Sequence, residues 1–304
     1  AWLRLSAERP RENESGTTRG VLGFGLVQVA IGASALVVTS LLRDLPAHAL
    51  FLQRRLAGAA GDAFAARQAV GFLLAFSCML VPAFFIAGAF PLAGRIRAAC
   101  GRAVGPAVGE TLACNTAGAI LGSVVSGYVL VYLFGIERSL QMLAVVNVGL
   151  GLLVAVSVRG RRTLLWGTAG AAVAALAALA AAGDSLRTWD PRFLAVFQAN
   201  RQDKFGSREK ALETLRNTDV LYYAEGAQAV VSSIKVKGGT QSFVTNGRIE
   251  ATDNARDLAC QLALGHLPML LHPRPERVFV LGAGSGVTLG ATSAHPGVKR
   301  IVLA

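Results

Sequence analysis

The sequence predicts a multi-span α-helical membrane domain followed by a partial α/β domain that begins with a β-hairpin region. Three observations lead to this prediction. The composition is unusually apolar, several long runs in the first part of the chain carry no charge, and the last third changes to short β-type runs around a glycine-rich turn. Runs of that length are typical of helices that cross a membrane, whereas alternating strand and helix patterns are typical of an α/β domain.

The composition excludes several classes of protein. Hydrophobic residues make up 53% of the 304 residues and charged residues 16%, whereas soluble domains usually contain about 25% charged residues. A disordered chain is therefore excluded. The four cysteines are too few for a disulfide scaffold and have no metal-type spacing, so no metal site is predicted.

Five uncharged runs are long enough to cross a bilayer core, which takes about 20 apolar residues in a helix. They are predicted transmembrane helices, and together they define a membrane domain over residues 21–183: 21–42, 68–94, 111–136, 139–158 and 163–183. Pro82 is expected to kink the second run. The arginines of the connecting loops do not decide which side of the membrane the chain ends face.

The segments on either side of the membrane domain are polar. Residues 1–20 are interpreted as a polar loop between two spans, so we expect that the chain is a fragment of a protein with earlier spans. Residues 184–221 are predicted to be a linker containing a short helix over 208–216, for which Ser207 is a suitable cap.

Small residues in the third run form a GxxxG pattern at Gly118 and Gly122. Such residues let helix backbones approach each other in lipid, so helix packing is favoured over a substrate path. No charged residue lies within any of the five runs. This disfavours a proton-coupled carrier, which normally needs an ionisable group inside the membrane.

The last third begins with β-type patterns over residues 228–236 and 241–245. Asn246-Gly247 follows, and this pair between two strands is a strong hairpin signal. Asp253 or Asn254 is then expected to cap a helix that runs to about residue 267.

A glycine-rich turn follows the strand predicted over residues 277–281. After Gly282-Ala283-Gly284-Ser285-Gly286 come a short helix over 287–293 and a second strand over 299–303, which together predict a βαβ unit. Glycines let the backbone approach a ligand closely, so a nucleotide or nucleoside ligand is favoured over a purely structural turn. Two parallel strands are too few for a covered parallel sheet, so the domain is expected to be incomplete.

Residues 222–304 resemble the spermidine synthase (polyamine aminopropyltransferase) family. The resemblance lies in the order of YYAEGAQAVVSSIKV, TNGRIEATD and QLALGHLPMLLHPRPERVFVLGAGSGVTLGATSAHPGVKRIVLA. It divides the region into a β-hairpin part, 222–252, and the start of a nucleotide-binding fold, 253–304. Residues 70–160 more weakly resemble bacterial proteins that fuse transporter-like spans to such a domain, so we interpret the chain as a fragment of one, truncated at both ends.

The resemblance implies a Rossmann-like, methyltransferase-type fold and transfer of an aminopropyl group from decarboxylated S-adenosylmethionine to putrescine. The decarboxylated donor would be a co-substrate, with no tightly bound cofactor and no metal. The expected partners are polyamine and nucleoside substrates and the lipid bilayer, with a homo-oligomer left open. The expected location is the bacterial cytoplasmic (inner) membrane, which the chain would cross several times.

The resemblance also implies ligand-binding residues. Gln228 matches a glutamine that contacts the nucleoside, and Gln261 matches a glutamine or histidine that faces the same ligand. Gly282, Gly284 and Gly286 match the glycine loop, with Ser285 among them. Ser285 stands where the family usually has an Asp that helps to hold the donor's amine. The family's catalytic Asp would follow Ala304, so no catalytic residue is assigned.

Two alternatives to aminopropyl transfer remain. Ser285 motivates a methyltransferase-type enzyme that uses intact S-adenosylmethionine, and the predicted spans motivate a non-enzymatic membrane carrier or scaffold with a ligand-binding domain. Nucleic-acid binding is disfavoured, because the basic residues of the last third are interspersed with acids and form no run.

Overall fold

The computed structural model describes residues 11–42, 63–101, 103–158, 162–181 and 208–304, together with the single positions 45, 48, 49, 52 and 189. The chain divides into two compact units, Ala1–Trp189 and Asp190–Ala304. The boundary between them falls inside the predicted linker over 184–221.

The described part of the first unit is helical throughout. Its elements are α1 (Arg11–Leu42), α2 (Ala63–Ala99), α3 (Val104–Val124), a π-helical segment (Val125–Leu130), α4 (Val131–Ser157) and α5 (Arg162–Ala181). Arg11–Gly20 belong to α1, so the prediction of a polar loop over 1–20 is wrong for this half of the segment, and residues 1–10 lie outside the described part. The apolar run marks where a helix can enter a bilayer, not where the helix begins.

Within the described residues, three helical stretches are long and apolar enough to cross a membrane, by length and composition: Thr17–Leu42, Phe64–Ala99 and Val104–Ser157. The third stretch has 54 residues and contains the third predicted run and all but the last residue of the fourth. It is interrupted at Gly135, whose backbone has φ 78° and ψ 173°. A shorter apolar helix over Leu164–Leu179 lies within the fifth predicted run.

Helices α1 and α4 approach each other through small residues. A Cβ added at Gly25 would lie 2.8 Å from the carbonyl oxygen of Gly151, and one at Gly32 would lie 2.5 Å from that of Ala144. Close backbone approach of this kind is how small residues let helices pack without a large apolar side chain between them. Gly118 and Gly122, by contrast, have no atom within 4 Å of an added Cβ, so the packing interpretation of this GxxxG pattern finds no support among the described residues.

The second unit begins with α6 (Arg208–Arg216) and a four-stranded antiparallel sheet in the order β1-β2-β3-β4. The strands are β1 (Thr218–Glu225), β2 (Val230–Val236), β3 (Gln241–Thr245) and β4 (Arg248–Thr252). β1 begins inside the predicted linker, which corrects the start of this region from 222 to Thr218. At the predicted hairpin turn Asn246 has φ 50° and Gly247 φ 74°, the paired positive values that a type I′ turn requires.

The chain then forms α7 (Ala255–Leu271), β5 (Arg277–Val280), α8 (Val287–Ser293) and β6 (Arg300–Leu303). The side chain of Asn254 accepts a hydrogen bond from the Asp257 amide at 2.9 Å, so Asn254 is the cap of α7 rather than Asp253. α7 continues through Pro268 to Leu271, beyond its predicted end. β5 and β6 pair in parallel, as the βαβ pattern predicts.

Candidate functional site

The loop between β5 and α8 is held in a conformation that needs glycine at three positions. Gly282, Gly284 and Gly286 have φ values of 85°, 49° and 82°, in the left-handed region that side chains with a Cβ rarely adopt. A Cβ added to any of the three would find no atom within 4 Å. Backbone geometry therefore requires these glycines, and the space beside the loop is open in the described part of the chain.

Two backbone hydrogen bonds fix the ends of this loop. The Gly282 amide donates to the carbonyl oxygen of Ala304 at 2.6 Å, and the Gly286 amide donates to that of Ala283 at 2.9 Å. The first bond extends the parallel pairing of β5 and β6 to the start of the loop. The loop consequently begins at the carboxyl end of β5, the edge where open α/β sheets bind their ligands.

Ser285 and Gln261, which are 24 residues apart, meet above the loop. The Ser285 hydroxyl donates a hydrogen bond to Oε1 of Gln261. The Nε2 amide of Gln261 donates to the backbone carbonyl of Thr252 at 3.1 Å. Gln261 therefore links the glycine loop to the end of β4, and both ends of its side-chain amide already have one partner.

Helices α7 and α8 pack closely beneath this link. A Cβ added at Gly265 would lie 2.5 Å from Cβ of Ala291 and 2.7 Å from the carbonyl oxygen of Thr288. The Thr288 hydroxyl also donates to the carbonyl oxygen of Gln261 at 3.0 Å. The absence of a side chain at Gly265 thus fixes where α8 lies, and with it the loop that precedes α8.

Asp257 and Thr252 join the end of β4 to the start of α7. The Asp257 carboxylate accepts hydrogen bonds from both the backbone amide and the hydroxyl of Thr252, the latter at 3.0 Å. This carboxylate is half-buried and already has two donors. It holds the strand and the helix in the arrangement that places Gln261 over the loop.

No hydrogen bond of the described residues joins the side chain of Gln228 to this cluster. It lies in the turn between β1 and β2, not in a strand, and its side chain is exposed. Among the hydrogen bonds of the described residues, none joins Gln228 to Gln261 or to the loop. The structure therefore brings together five of the six predicted ligand residues: Gln261, Gly282, Gly284, Ser285 and Gly286.

Sequence reasoning missed the neighbours that hold the site. Thr252, Asp257 and Thr288 lie in three different elements, and only the fold brings them together. The fold also brings His266 of α7 and His295 together, with Nδ1 of His266 2.9 Å from Nε2 of His295. In the described residues no group of three or more His, Cys, Asp or Glu side chains could hold a metal ion.

The cluster can bind a ligand through neutral hydrogen-bonding groups and exposed backbone. The residues of the loop carry no ionisable side chain. Its open side, the exposed glycines and the nearby hydroxyl and amide suit a polar ligand that approaches the backbone closely. This arrangement can orient such a ligand, but within the described residues it presents no acid or base at the loop itself.

Comparison with known proteins identifies relatives over part of the chain. The chain is similar to polyamine aminopropyltransferases. It is 37% identical over 67 residues to one from Leptospira biflexa, covering 21% of this chain and 24% of the relative. A second from Hyperthermus butylicus is 29% identical over 84 residues, covering 28% of each chain. Spermidine synthase from Dictyostelium discoideum is 32% identical over 84 residues, covering 28% of this chain and 29% of the relative.

The chain therefore spans about a quarter of the length of the curated relatives that it matches. No family model matches the chain, and no solved structure does. The similarity supports relationship to the aminopropyltransferases at low identity and over a limited region.

Proposed function

We propose that the chain is part of a membrane-anchored aminopropyltransferase of the spermidine-synthase type. The observation that carries this proposal is the glycine loop at the carboxyl end of β5, held to α7 by Ser285 and Gln261. Its relatives named polyamine aminopropyltransferase and spermidine synthase support the reaction class. The donor would be decarboxylated S-adenosylmethionine, the acceptor putrescine, and no tightly bound cofactor would be needed.

In the proposed reaction, the role of the loop is to bind and align the donor. The neutral amine of putrescine attacks the carbon beside the donor's sulfonium, so that a C–N bond forms and a C–S bond breaks. The sulfur leaves with the bonding electrons as the neutral thioether methylthioadenosine, and the new ammonium loses a proton to a base. Holding the two reactants in line supplies much of the rate enhancement of such a step. The glycine loop and Gln261 would hold the nucleoside end of the donor.

Membrane anchoring is the second part of the proposal. It is supported by three helical stretches of sufficient length and apolar character, and by exposed apolar side chains such as Phe84 and Trp166, which are 72% and 79% exposed. Side chains of this kind are stable in contact with lipid. We propose location in the bacterial inner membrane, with several spans. Recovery of the protein in a carbonate-washed membrane fraction tests this, and recovery in the soluble fraction would contradict it.

The transferase proposal is tested on membranes that contain the complete gene product. Putrescine and decarboxylated S-adenosylmethionine are supplied, and spermidine and methylthioadenosine are measured by mass spectrometry. We expect both products in equal amounts, and a loss of at least tenfold in Gly284→Trp, which fills the open side of the loop. Gly284→Ala is the matched control, because it carries the same positive-φ strain without the bulk.

One observation favours a second candidate, a methyltransferase-type enzyme that uses intact S-adenosylmethionine. The neutral Ser285–Gln261 pair supplies no negative charge for the amine of the decarboxylated donor. The same membranes supplied with the intact donor distinguish the two activities. A methylated product without spermidine would establish the second candidate and refute the first.

A further inference from the structure

A pair of histidines joins helix α7 to the end of helix α8. Nδ1 of His266 lies 2.9 Å from Nε2 of His295, and the two rings meet edge to face with their centroids 5.1 Å apart. His266 lies inside α7, whereas His295 lies just beyond Ser293, the last residue of α8. Both histidines are half-buried. These two residues are called the histidine pair below.

The hydrogen bond within the histidine pair depends on the protons that the two rings carry. One ring nitrogen must donate its proton and the other must accept through a lone pair, so at least one imidazole must be neutral. One added proton is compatible with the bond, because a cationic ring still donates to a neutral ring. A second added proton removes the last accepting lone pair and places two like charges against each other. The contact is therefore stable with up to one added proton and unstable with two.

The carboxylates of the segments around the histidine pair have other partners. They are Glu250 with Arg248, Asp253 with the Gln241 amide, Asp257 with Thr252, and Glu276 with Lys299. Helix α8 contains no ionisable side chain. The other ionisable residues of α7 and of the neighbouring segments are Arg256, Cys260, His272, Arg274, Arg277 and Arg300. Among the described residues, neither imidazole has a hydrogen bond or ion pair with any of these groups, so no carboxylate in direct contact neutralises an added proton.

Helix α8 is short enough to depend on its contacts with α7. It has seven residues, and a helix of that length is not stable in water by itself. Thr288 and Ala291 of α8 contact α7 at Gln261 and Gly265, and the histidine pair adds a contact just beyond the carboxyl end of α8. Because α8 begins directly after the glycine loop, an opening of this contact would affect the order of both the helix and the loop.

We propose that the histidine pair is a pH-sensitive clamp that holds the end of α8 against α7 and opens when both rings carry an added proton. The open state can bind more protons than the closed state, so the stability of the contact falls as the pH falls. Histidine side chains generally gain their charge between about pH 5 and 8, which places the opening at mildly acidic pH. The inference concerns α8 and does not depend on the ligand of the loop. Under the proposed function, opening would loosen the loop that binds the donor.

The test measures hydrogen–deuterium exchange of the full-length protein in lipid nanodiscs at about pH 7.5 and about pH 5. Protection factors are calculated for peptides that cover α8, with the intrinsic effect of pH on amide exchange removed. In His295→Gln the new side-chain amide can donate or accept, so it can bond to His266 in either charge state without taking up a proton. His272→Gln is the matched control, because His272 is exposed and bonds to the Arg274 amide rather than to the histidine pair.

We expect the protection of α8 to fall about tenfold or more at the lower pH in the wild type and in His272→Gln, because each extra proton bound by the open state shifts the equilibrium by up to about tenfold per pH unit. In His295→Gln the protection should stay within about threefold. Strands β2 and β3 contain no histidine and serve as an internal reference. They should keep their protection, because only a general acid unfolding would expose them together with α8.

Two outcomes overturn the inference: equal protection of wild-type α8 at both pH values, or a loss in His295→Gln as large as that in the wild type. If His295→Gln is unprotected at the higher pH already, His266→Asn makes the replacement from the α7 side and is judged in the same way. If both variants are unprotected, the reference strands decide. A wild-type loss limited to α8 then supports the clamp, and a loss shared with β2 and β3 overturns it.

The clamp and the proposed function fail in different ways. Spermidine formation together with equal protection of α8 at both pH values would support the transferase and refute the clamp. A pH-dependent α8 in a protein that forms no spermidine would support the clamp and refute the transferase.

Discussion

Substituting Gly265 by alanine tests whether the α7–α8 contact fixes the glycine loop. The added Cβ would lie 2.5 Å from Cβ of Ala291, 2.7 Å from the carbonyl oxygen of Thr288 and 3.1 Å from the amide nitrogen of Thr292. Carbon atoms normally pack at about 3.5–4.0 Å. Two of the three atoms belong to the backbone of α8, so the clash cannot be relieved by rotating a side chain.

The expected change in stability caused by Gly265→Ala is the sum of two opposing effects. Overpacking of a well-packed contact costs about 1–3 kcal/mol of stability. The cost of alanine at residue 265 should lie near the upper end of this range, because the added Cβ crowds three atoms at once. The higher helix propensity of alanine than of glycine stabilises α7 by about 1 kcal/mol. We therefore expect a net destabilisation of about 2 kcal/mol, which corresponds to roughly 30-fold faster exchange of the α8 amides with solvent.

The matched control is Gly290→Ala in α8 itself. An added Cβ there meets no atom within 4 Å, so only the helix propensity changes and α8 should become about 1 kcal/mol more stable. Hydrogen–deuterium exchange of the full-length chain, read by mass spectrometry on peptides covering α8, measures both variants. The reasoning is refuted if Gly265→Ala protects α8 as well as the wild type does, because the close approach would then not constrain the helix.

Three further substitutions test other parts of the fold. Gly25→Leu should lower the free energy of unfolding of the helical unit in detergent by about 1–3 kcal/mol, because its Cβ would lie 2.8 Å from the Gly151 carbonyl oxygen. Gly71→Leu is the control and should leave that free energy unchanged, because a Cβ added there has no atom within 4 Å. Asn254→Ala removes the cap of α7 and should cost about 1 kcal/mol, seen as faster amide exchange in its first turn, and Asn254→Asp should restore protection. Gly247→Val forces a β-branched residue to φ 74° and should speed exchange across β3 and β4, and an unchanged pattern would argue against the type I′ turn.

The elements that the sequence predicted well are those with signals confined to a few neighbouring residues. Asn246-Gly247 sets its own backbone angles, and the glycines of the loop and the cap at Asn254 do the same. The helix is predicted to run only to about residue 267, just before Pro268, because proline is unfavourable inside a helix. The helix continues through it to Leu271.

The errors fall where structure depends on residues distant in the sequence. The first four residues of β1 lie in a segment interpreted as a linker, because pairing with β2 is what makes them part of a strand. The sequence singled out Gly118 and Gly122 for their spacing. The close helix contacts instead involve Gly25 and Gly151, which are separated by more than a hundred residues and carry no local signal for each other.

The same distinction explains what could be inferred about the site. A resemblance assigns residues one at a time, so it could name Gln261 and Ser285 separately but not the hydrogen bond between them. That bond changes the interpretation of both residues, because a glutamine held at each end of its amide links the loop to the end of β4. Gln228, assigned in the same way, lies in an exposed turn and has no such bond. Among the residues carried over by resemblance, the fold joins Gln261 and Ser285 by a hydrogen bond and leaves Gln228 apart from them.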